Sequence, residues 1–209
     1  MLLCSRQSGK STVVSFAALH EALYRPDSLI LLLSPSLRQS GELFKKVIDA
    51  FASAGQEIQP KRETALTLEF HNGSRIVCLP GKEQTIRGYS GVRLLVIDEG
   101  AWVPDDLYNA VKPMLAVSGG RMLALSTPQG KRGWFYKEWT EGEGWYKVRI
   151  PAPECPRIPA DFLESERRSM PDWVFRQEYM CEFSDTDNQA FPSALIDAAF
   201  SDEIEPLFS

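Results

Sequence analysis

The sequence is short of the residues that most often announce a function. It has only two histidines, His20 and His71, and its four cysteines (Cys4, Cys78, Cys155, Cys181) are widely separated, with no CxxC pair. A zinc site needs clustered ligands and a disulfide framework needs patterned thiols, so neither is expected, and the chain reads as one for a reducing compartment. Long apolar runs are missing too. The longest, Leu29–Leu33, falls far below the ~20 residues that span a bilayer. The opening residues lack a charged segment followed by an extended apolar one, so no signal peptide is read there. Nor is there an excess of positive charge. At a net charge of −5 the chain has no global attraction for nucleic acid, and any DNA contact must come from a local basic surface. Repeats and low-complexity segments are also absent.

What remains is a globular composition, 44% hydrophobic and 24% charged over 209 residues, enough for one domain with a buried core. Leu29–Pro35 reads as a buried strand ended by proline. Ahead of it, Ser11–Arg25 spaces Val13, Phe16, Leu19 and Leu23 three or four apart, predicting a helix with that face inward. Ser36–Gly55 predicts a second amphipathic helix with Gly55 as its stop. Between Ala65 and Pro80, Leu66, Leu68 and Phe70 alternate, Asn72-Gly73 turns, and Ile76–Leu79 returns, which predicts a hairpin. Val92–Gly100 and Arg121–Gly130 read as further strands, Gly133–Gly142 as a helix and Gly144–Glu154 as an edge strand. Pro159–Phe183 carries two helical segments, Pro171 opening the second. Strands alternating with helices predict a mainly parallel sheet covered on both faces.

Three motifs carry chemistry. The first is the Cys4–Val14 stretch, CSRQSGKSTVV. A phosphate-binding loop needs backbone N–H groups and a helix N-terminus aimed at the anion. Gly9 allows close approach, Lys10 can reach the β- and γ-phosphates, and Ser11 can ligate Mg²⁺. Cys4 stands where such loops usually begin with glycine, and a Cβ there restricts a tight turn. Taken alone, this stretch could also be a surface turn. The second motif, Leu94–Glu99, is an apolar strand ending in two carboxylates, where the ligand crevice of an open parallel sheet lies. Asp98 is read as holding Mg²⁺ with Ser11, and Glu99 as orienting and deprotonating the attacking water. The third, Leu123–Gly130, places Ser126 and Thr127 at another strand end, where small hydroxyl residues can sense a γ-phosphate.

These stretches give the chain a resemblance to the ATPase domain of the large terminase subunit, the motor that packs DNA into tailed-phage capsids. The residues that carry it are SRQSGKST (5–12), SPSLRQSGELF (34–44), TIRGYSGVRLLVIDEGAWV (85–103), LALSTPQGKRGWFYKEW (123–139) and FRQEYMCEF (175–183). In that family the phosphate loop commonly lacks the first glycine and carries an arginine at the position of Arg6. The resemblance implies a P-loop NTPase of the additional-strand, catalytic-glutamate type. Ser5, Arg6, Gln7, Ser8, Gly9, Lys10, Ser11 and Thr12 would bind ATP, with Mg²⁺ on Ser11 and Asp98. Arg6, Lys10 and Glu99 would be catalytic, Arg87 would act across a subunit boundary, and Ser126 and Thr127 would couple hydrolysis to movement. Implied partners are double-stranded DNA, the portal protein, the small terminase subunit and further copies in a ring, in the host cytoplasm at the capsid portal, without a membrane.

On the same footing, residues 1–184 are expected to form the ATPase domain. Residues 185–209, with Asp185 and Asp187, are expected to be a linker towards a nuclease domain that the chain lacks, along with an upstream adenine-contacting segment. Slow turnover by the isolated chain is expected in consequence. Two rivals stay open: a nucleic-acid-stimulated helicase-like ATPase, and a remnant that binds nucleotide or partners without turnover. Arg38, Lys45 and Lys46 read as a solvated helix face, the two histidines as structural, and Trp102, Trp134 and Trp139 as core or interface.

Overall fold

Leu29–Leu33 is apolar at every position, which suits a strand buried on both faces, and that is where it lies in the computed structural model. The structure describes residues 1–55, 59–81, 86, 88–184, 195 and 199. Among them the strands are β1 (Leu2–Cys4), β2 (Leu29–Ser34), β3 (Arg62–Glu63), β4 (Thr67–Glu69), β5 (Arg75–Pro80), β6 (Val92–Asp98), β7 (Arg121–Ser126) and β8 (Val148–Ile150). They form one sheet in the order β3-β4-β5-β2-β6-β7-β1-β8. From β5 to β8 every pairing is parallel, while β3 and β4 add an antiparallel end. The Asn72-Gly73 turn joins β4 to β5 as expected, and β8 is an edge strand. β7 separates β1 from β6, so the strand before the phosphate loop and the acidic strand are not neighbours. This is the additional-strand arrangement.

The helices are α1 (Lys10–Tyr24), α2 (Leu37–Ser53), α3 (Asp105–Val111), α4 (Gly133–Thr140), α5 (Ala160–Ser169) and α6 (Asp172–Glu178). Strand side chains alternate between two cores. Ile30, Leu32, Ile76, Cys78 and Val96 meet α1 and α2 on one face. Leu31, Leu33, Leu79, Leu95 and Ile97 meet Leu107 and Tyr108 of α3 and Trp134 and Phe135 of α4 on the other. A third, small core joins Ala152, Cys155 and Ile158 to Phe175 and Tyr179 of α6, with α5 beside it. All four cysteines are free and buried.

The inward face of α1 differs from the sequence reading. Val14, Ala18, Leu19 and Ala22 are buried, whereas Val13 is 62% and Phe16 51% exposed. The helix is apolar nearly all round, so 3.6-residue spacing admits two stripes. The stripe of small residues won because Ala18 and Ala22 let the helix axis approach the sheet. A clasp reinforces that approach. Glu21, buried on α1, takes Arg93 Nε of β6 at 2.6 Å and Arg121 Nη2 of β7 at 2.7 Å. Burial alone would push the Glu21 carboxyl up, but the hydrogen bonds and attraction of the two arginines outweigh it and hold the group below its usual range.

Candidate functional site

The phosphate-loop residues lie where β1 gives way to α1. Cys4 is still strand, opposite Ile150 of β8, and Ser5 N–H extends that pairing by donating to the Ile150 carbonyl at 3.0 Å. No left-handed conformation is needed at Cys4, which is why a cysteine is tolerated there. The turn itself falls later, with positive φ at Gln7 (60°) and Gly9 (85°). Ser8 Oγ donates to the Ser5 carbonyl at 2.9 Å and closes the loop from inside. α1 then starts at Lys10 with no side-chain cap, so its first-turn N–H groups and dipole favour an anion in front of them.

Opposite stands the end of β6. Ser11 Oγ donates to Asp98 Oδ2 at 3.1 Å, and Lys10 Nζ lies 3.1 Å from Glu99 Oε1. Asp98 is only 7% exposed. Burial raises its carboxyl above the ordinary range and the neighbouring Glu99 charge raises it further, while Lys10, the Ser11 hydroxyl and the Glu99 N–H pull the other way. A buried oxygen donor beside a serine hydroxyl, with a second carboxylate adjacent, suits a hard divalent cation such as Mg²⁺. Glu99 has a left-handed backbone (φ 51°, ψ 46°), a conformation that costs a non-glycine residue roughly 1–2 kcal/mol. Gly100 follows it for want of space. A Cβ there would come within 2.9 Å of the Phe135 ring.

A cleft of about 470 Å³ is lined by Arg6, Gln7, Ser8, Gly9, Lys10, Ser11 and Thr12 together with Lys46, Glu99 and Arg157. A hollow of about 260 Å³ shares Arg6 and Glu99 with it and adds Gln39, Trp102, Thr127 and Glu178. The expected site residues are thus brought together, with three qualifications. Ser5 is buried behind the loop, because its pairing with β8 turns its side chain inward, and it does not line the cleft. Ser126 is buried at the end of β7, where its hydroxyl accepts the Ala101 N–H at 3.2 Å, so it touches the turn after Glu99 while Thr127 faces the hollow. Arg87, Asp185 and Asp187 lie outside the described residues.

Arg6 aims elsewhere than the loop. Its Nε is 2.6 Å from Glu178 Oε2, and its own N–H donates to the Glu178 carbonyl at 3.0 Å, tying the loop to α6. Lys46, read from sequence as part of a solvated face, is exposed but borders the cleft. Trp134 is buried and Trp139 packs on the core, whereas Trp102 is half exposed above the hollow. Sequence reasoning gave no signal for Arg157, a single charge in a segment without a motif, and it met Glu178 only as part of the 175–183 stretch, without a role. Other hollows, such as the one bordered by Asp27, Ser74 and Arg75 at the opposite ends of the strands, assemble no comparable set.

Comparison with known proteins supplies the family and the fold. The family model described as "Terminase large subunit, T4likevirus-type, N-terminal" matches residues 1–197. The large terminase subunit of Thermus phage G20c is 30% identical, covering 89% of this chain and 46% of that protein. That of Escherichia phage T5 is 23% identical, over 90% and 44% respectively. The chain therefore spans just under half the length of these curated relatives. Among solved structures, the ATPase domain of the Thermus phage P74-26 large terminase superposes with a TM-score of 0.76 at 24% identity, covering 88% of this chain and 87% of that one. The large terminase of another thermophilic bacteriophage, in complex with ATP-gamma-S, superposes with a TM-score of 0.72 at 15% identity, over 87% and 47%. The chain belongs to the N-terminal ATPase-domain family of the phage large terminase subunit.

Proposed function

We propose that this chain is the ATPase unit of a viral DNA-packaging motor, hydrolysing ATP to drive double-stranded DNA into a capsid. The observation that carries the reading is the pairing of loop and acidic strand across β7, with Ser11 on Asp98 and Lys10 on Glu99, each at 3.1 Å. The family match and the ATP-gamma-S complex of the thermophilic phage terminase support it.

In this reading the first turn of α1, Gly9 and Lys10 seat the β- and γ-phosphates. Ser11 and Asp98 would hold Mg²⁺, which supplies neutralising charge on the phosphate oxygens. A phosphate competes with Glu99 for Lys10, and Glu99, so released, orients the attacking water and accepts its proton. Arg6 must leave Glu178 to add its charge to the phosphates. Thr127 and Ser126, beside Glu99 and the turn after it, relay occupancy into β7. Most of the rate gain then comes from positioning and electrostatics.

The unit comprises residues 1–184, with 185–209 as a linker. It works in a ring at the capsid portal in the host cytoplasm, with the portal protein and small terminase subunit as partners. Arg87 completes a neighbour's site, and an isolated chain without that neighbour turns over slowly. No described helix is long and apolar enough to cross a membrane. The test is phosphate release from Mg²⁺-ATP with and without double-stranded DNA and packaging partners, alongside a strand-separation assay. Stimulation without strand separation is the expected result. Unwinding would point to a helicase, and no turnover in any assembly would sink the ATPase reading.

A further inference from the structure

Arg157 reaches the phosphate loop from a part of the chain that no motif marks. It is the third residue of a tight turn in which the Ile158 N–H donates to the Cys155 carbonyl at 3.0 Å, with Pro156 at the second position. Cys155 and Ile158, on either side, are buried in the small core with Phe175 and Tyr179. The proline fixes φ and the buried flanks fix the turn's orientation, so the intervening side chain is presented on a rigid mount. That mount is tied to the loop by backbone hydrogen bonds from Ala152 N–H to the Tyr179 carbonyl at 2.7 Å and from Arg6 N–H to the Glu178 carbonyl at 3.0 Å.

The guanidinium lies directly over the loop. Its Nη1 is 2.9 Å from where a Cβ on Gly9 would stand, and Arg157 borders the same cleft as Lys10, Ser11 and Lys46. Arg6 and Lys10 are engaged by Glu178 and Glu99, but no hydrogen bond or ion pair ties Arg157 to another described residue. An exposed guanidinium carried on a fixed turn, with all five donors open, above an uncapped helix N-terminus, has the position and charge to grip a phosphate chain.

We propose that Arg157 is a second-side phosphate ligand. It binds the nucleotide's phosphate chain from above while the loop amides and Lys10 bind it from below. The proposal rests on the reading of this cleft as a nucleotide site. Its consequence is that affinity for polyphosphates depends on the small core being seated on the loop, whereas the rest of the nucleotide contributes no recognition through this residue.

The test is calorimetric titration of the full chain with Mg²⁺-ATP, ADP and inorganic pyrophosphate, for the parent, Arg157→Met, Arg157→Lys and Lys10→Ala, with thermal midpoints taken on each. Loss of one charge-assisted contact predicts that Arg157→Met weakens all three ligands about tenfold or more, with an unchanged midpoint. Arg157→Lys should recover part of the loss by restoring the charge. If Arg157→Met binds within about twofold of the parent, or Arg157→Lys binds no better than Arg157→Met, Arg157 is not a phosphate ligand. In either case a collapse of binding in Lys10→Ala upholds the reading of the cleft as a nucleotide site. A parent that binds none of the three ligands overturns the site and the proposal together.

Discussion

Asp98 is placed where function and stability pull in opposite directions, and Asp98→Asn separates them. The carboxylate is buried, it stands next to the Glu99 charge, and its pKa is raised. A raised value means the folded state disfavours the charge at neutral pH, despite Lys10, the Ser11 hydroxyl and the Glu99 N–H. Removing that charge should therefore stabilise the protein when no cation is supplied, by about 1 kcal/mol after allowing for the rearranged hydrogen bonds, since an asparagine Oδ1 can still accept the Glu99 N–H while its NH₂ meets the Ser11 hydroxyl in place of the second accepting oxygen. For a chain of this size that is a rise of about 2–4 °C in Tm. Mg²⁺-ATP should reverse the order. At a hundredfold excess over Kd the parent gains about 2.7 kcal/mol, or roughly 5–10 °C, whereas the variant gains little because it has lost its cation ligand. The pH dependence carries the same sign. Between the ordinary carboxyl value of 3.8 and the raised folded one, the folded parent binds more protons than the unfolded chain, so its advantage falls as pH rises through that window. Thermal scans of both proteins, with and without Mg²⁺-ATP, at neutral and mildly acid pH, read all of this. A variant that melts below the parent without ligand, or gains as much with it, would refute the electrostatic reasoning.

Glu99→Gln should keep ATP affinity within about threefold yet slow phosphate release at least about a hundredfold in an active assembly, since only proton acceptance is lost. Parental turnover would remove Glu99 from its role. Gly9→Ala should lower ATP affinity at least about tenfold, because alanine at φ 85° is strained and would distort the loop, while its methyl, 2.9 Å from Arg157 Nη1, would only push that exposed side chain aside. Calorimetry checks it. Glu21→Gln should destabilise by about 1–3 kcal/mol at neutral pH by leaving two arginines half-answered. The Glu21 carboxyl is held low, so its contribution is present above the unfolded value of 4.5 and lost as pH falls through the folded one. Urea midpoints of the variant should accordingly change less than the parent's on acidification, and parallel curves would count against the clasp.

Local features of this fold could be read from the sequence, and features set by distant partners could not. The five leucine-rich positions of β2 and the Asn72-Gly73 turn specify themselves within a few residues. The phosphate-loop and acidic-strand motifs are likewise local, and their order along the chain suggested that they meet, although Ser11 and Asp98 are 87 residues apart. The inward stripe of α1 was not self-specified, since Val13 and Phe16 are as apolar as Val14 and Ala18, and only the sheet's demand for close approach decides between them. Arg157 and Glu178 show the same limit in the site. Each acts through a turn or helix end seated on the loop by the small core of Cys155, Ile158, Phe175 and Tyr179, and no spacing rule in either segment reports that docking.

The turn after Glu99 shows why the acidic strand end is built as it is. A glutamate in left-handed backbone persists only where its surroundings over-determine it. Here the Lys10 ammonium holds the carboxylate from one side. On the other, Gly100 packs against Phe135 and Trp134, Trp102 N–H donates to the Glu99 carbonyl at 2.9 Å, and Ala101 N–H donates to the Ser126 hydroxyl. Trp134 is itself fixed by its indole N–H on the Val103 carbonyl at 2.9 Å, its backbone N–H on Asp105 and its stack against Tyr108, with centroids 4.0 Å apart. The carboxylate that faces Lys10 is thus continuous, through one glycine without room for a methyl group, with the packing of α3 and α4 and with the end of β7. The side chain of Glu99, partly exposed at the cleft, can turn without disturbing these contacts, whereas any movement of its backbone is opposed by the hydrogen bonds and packing of the turn.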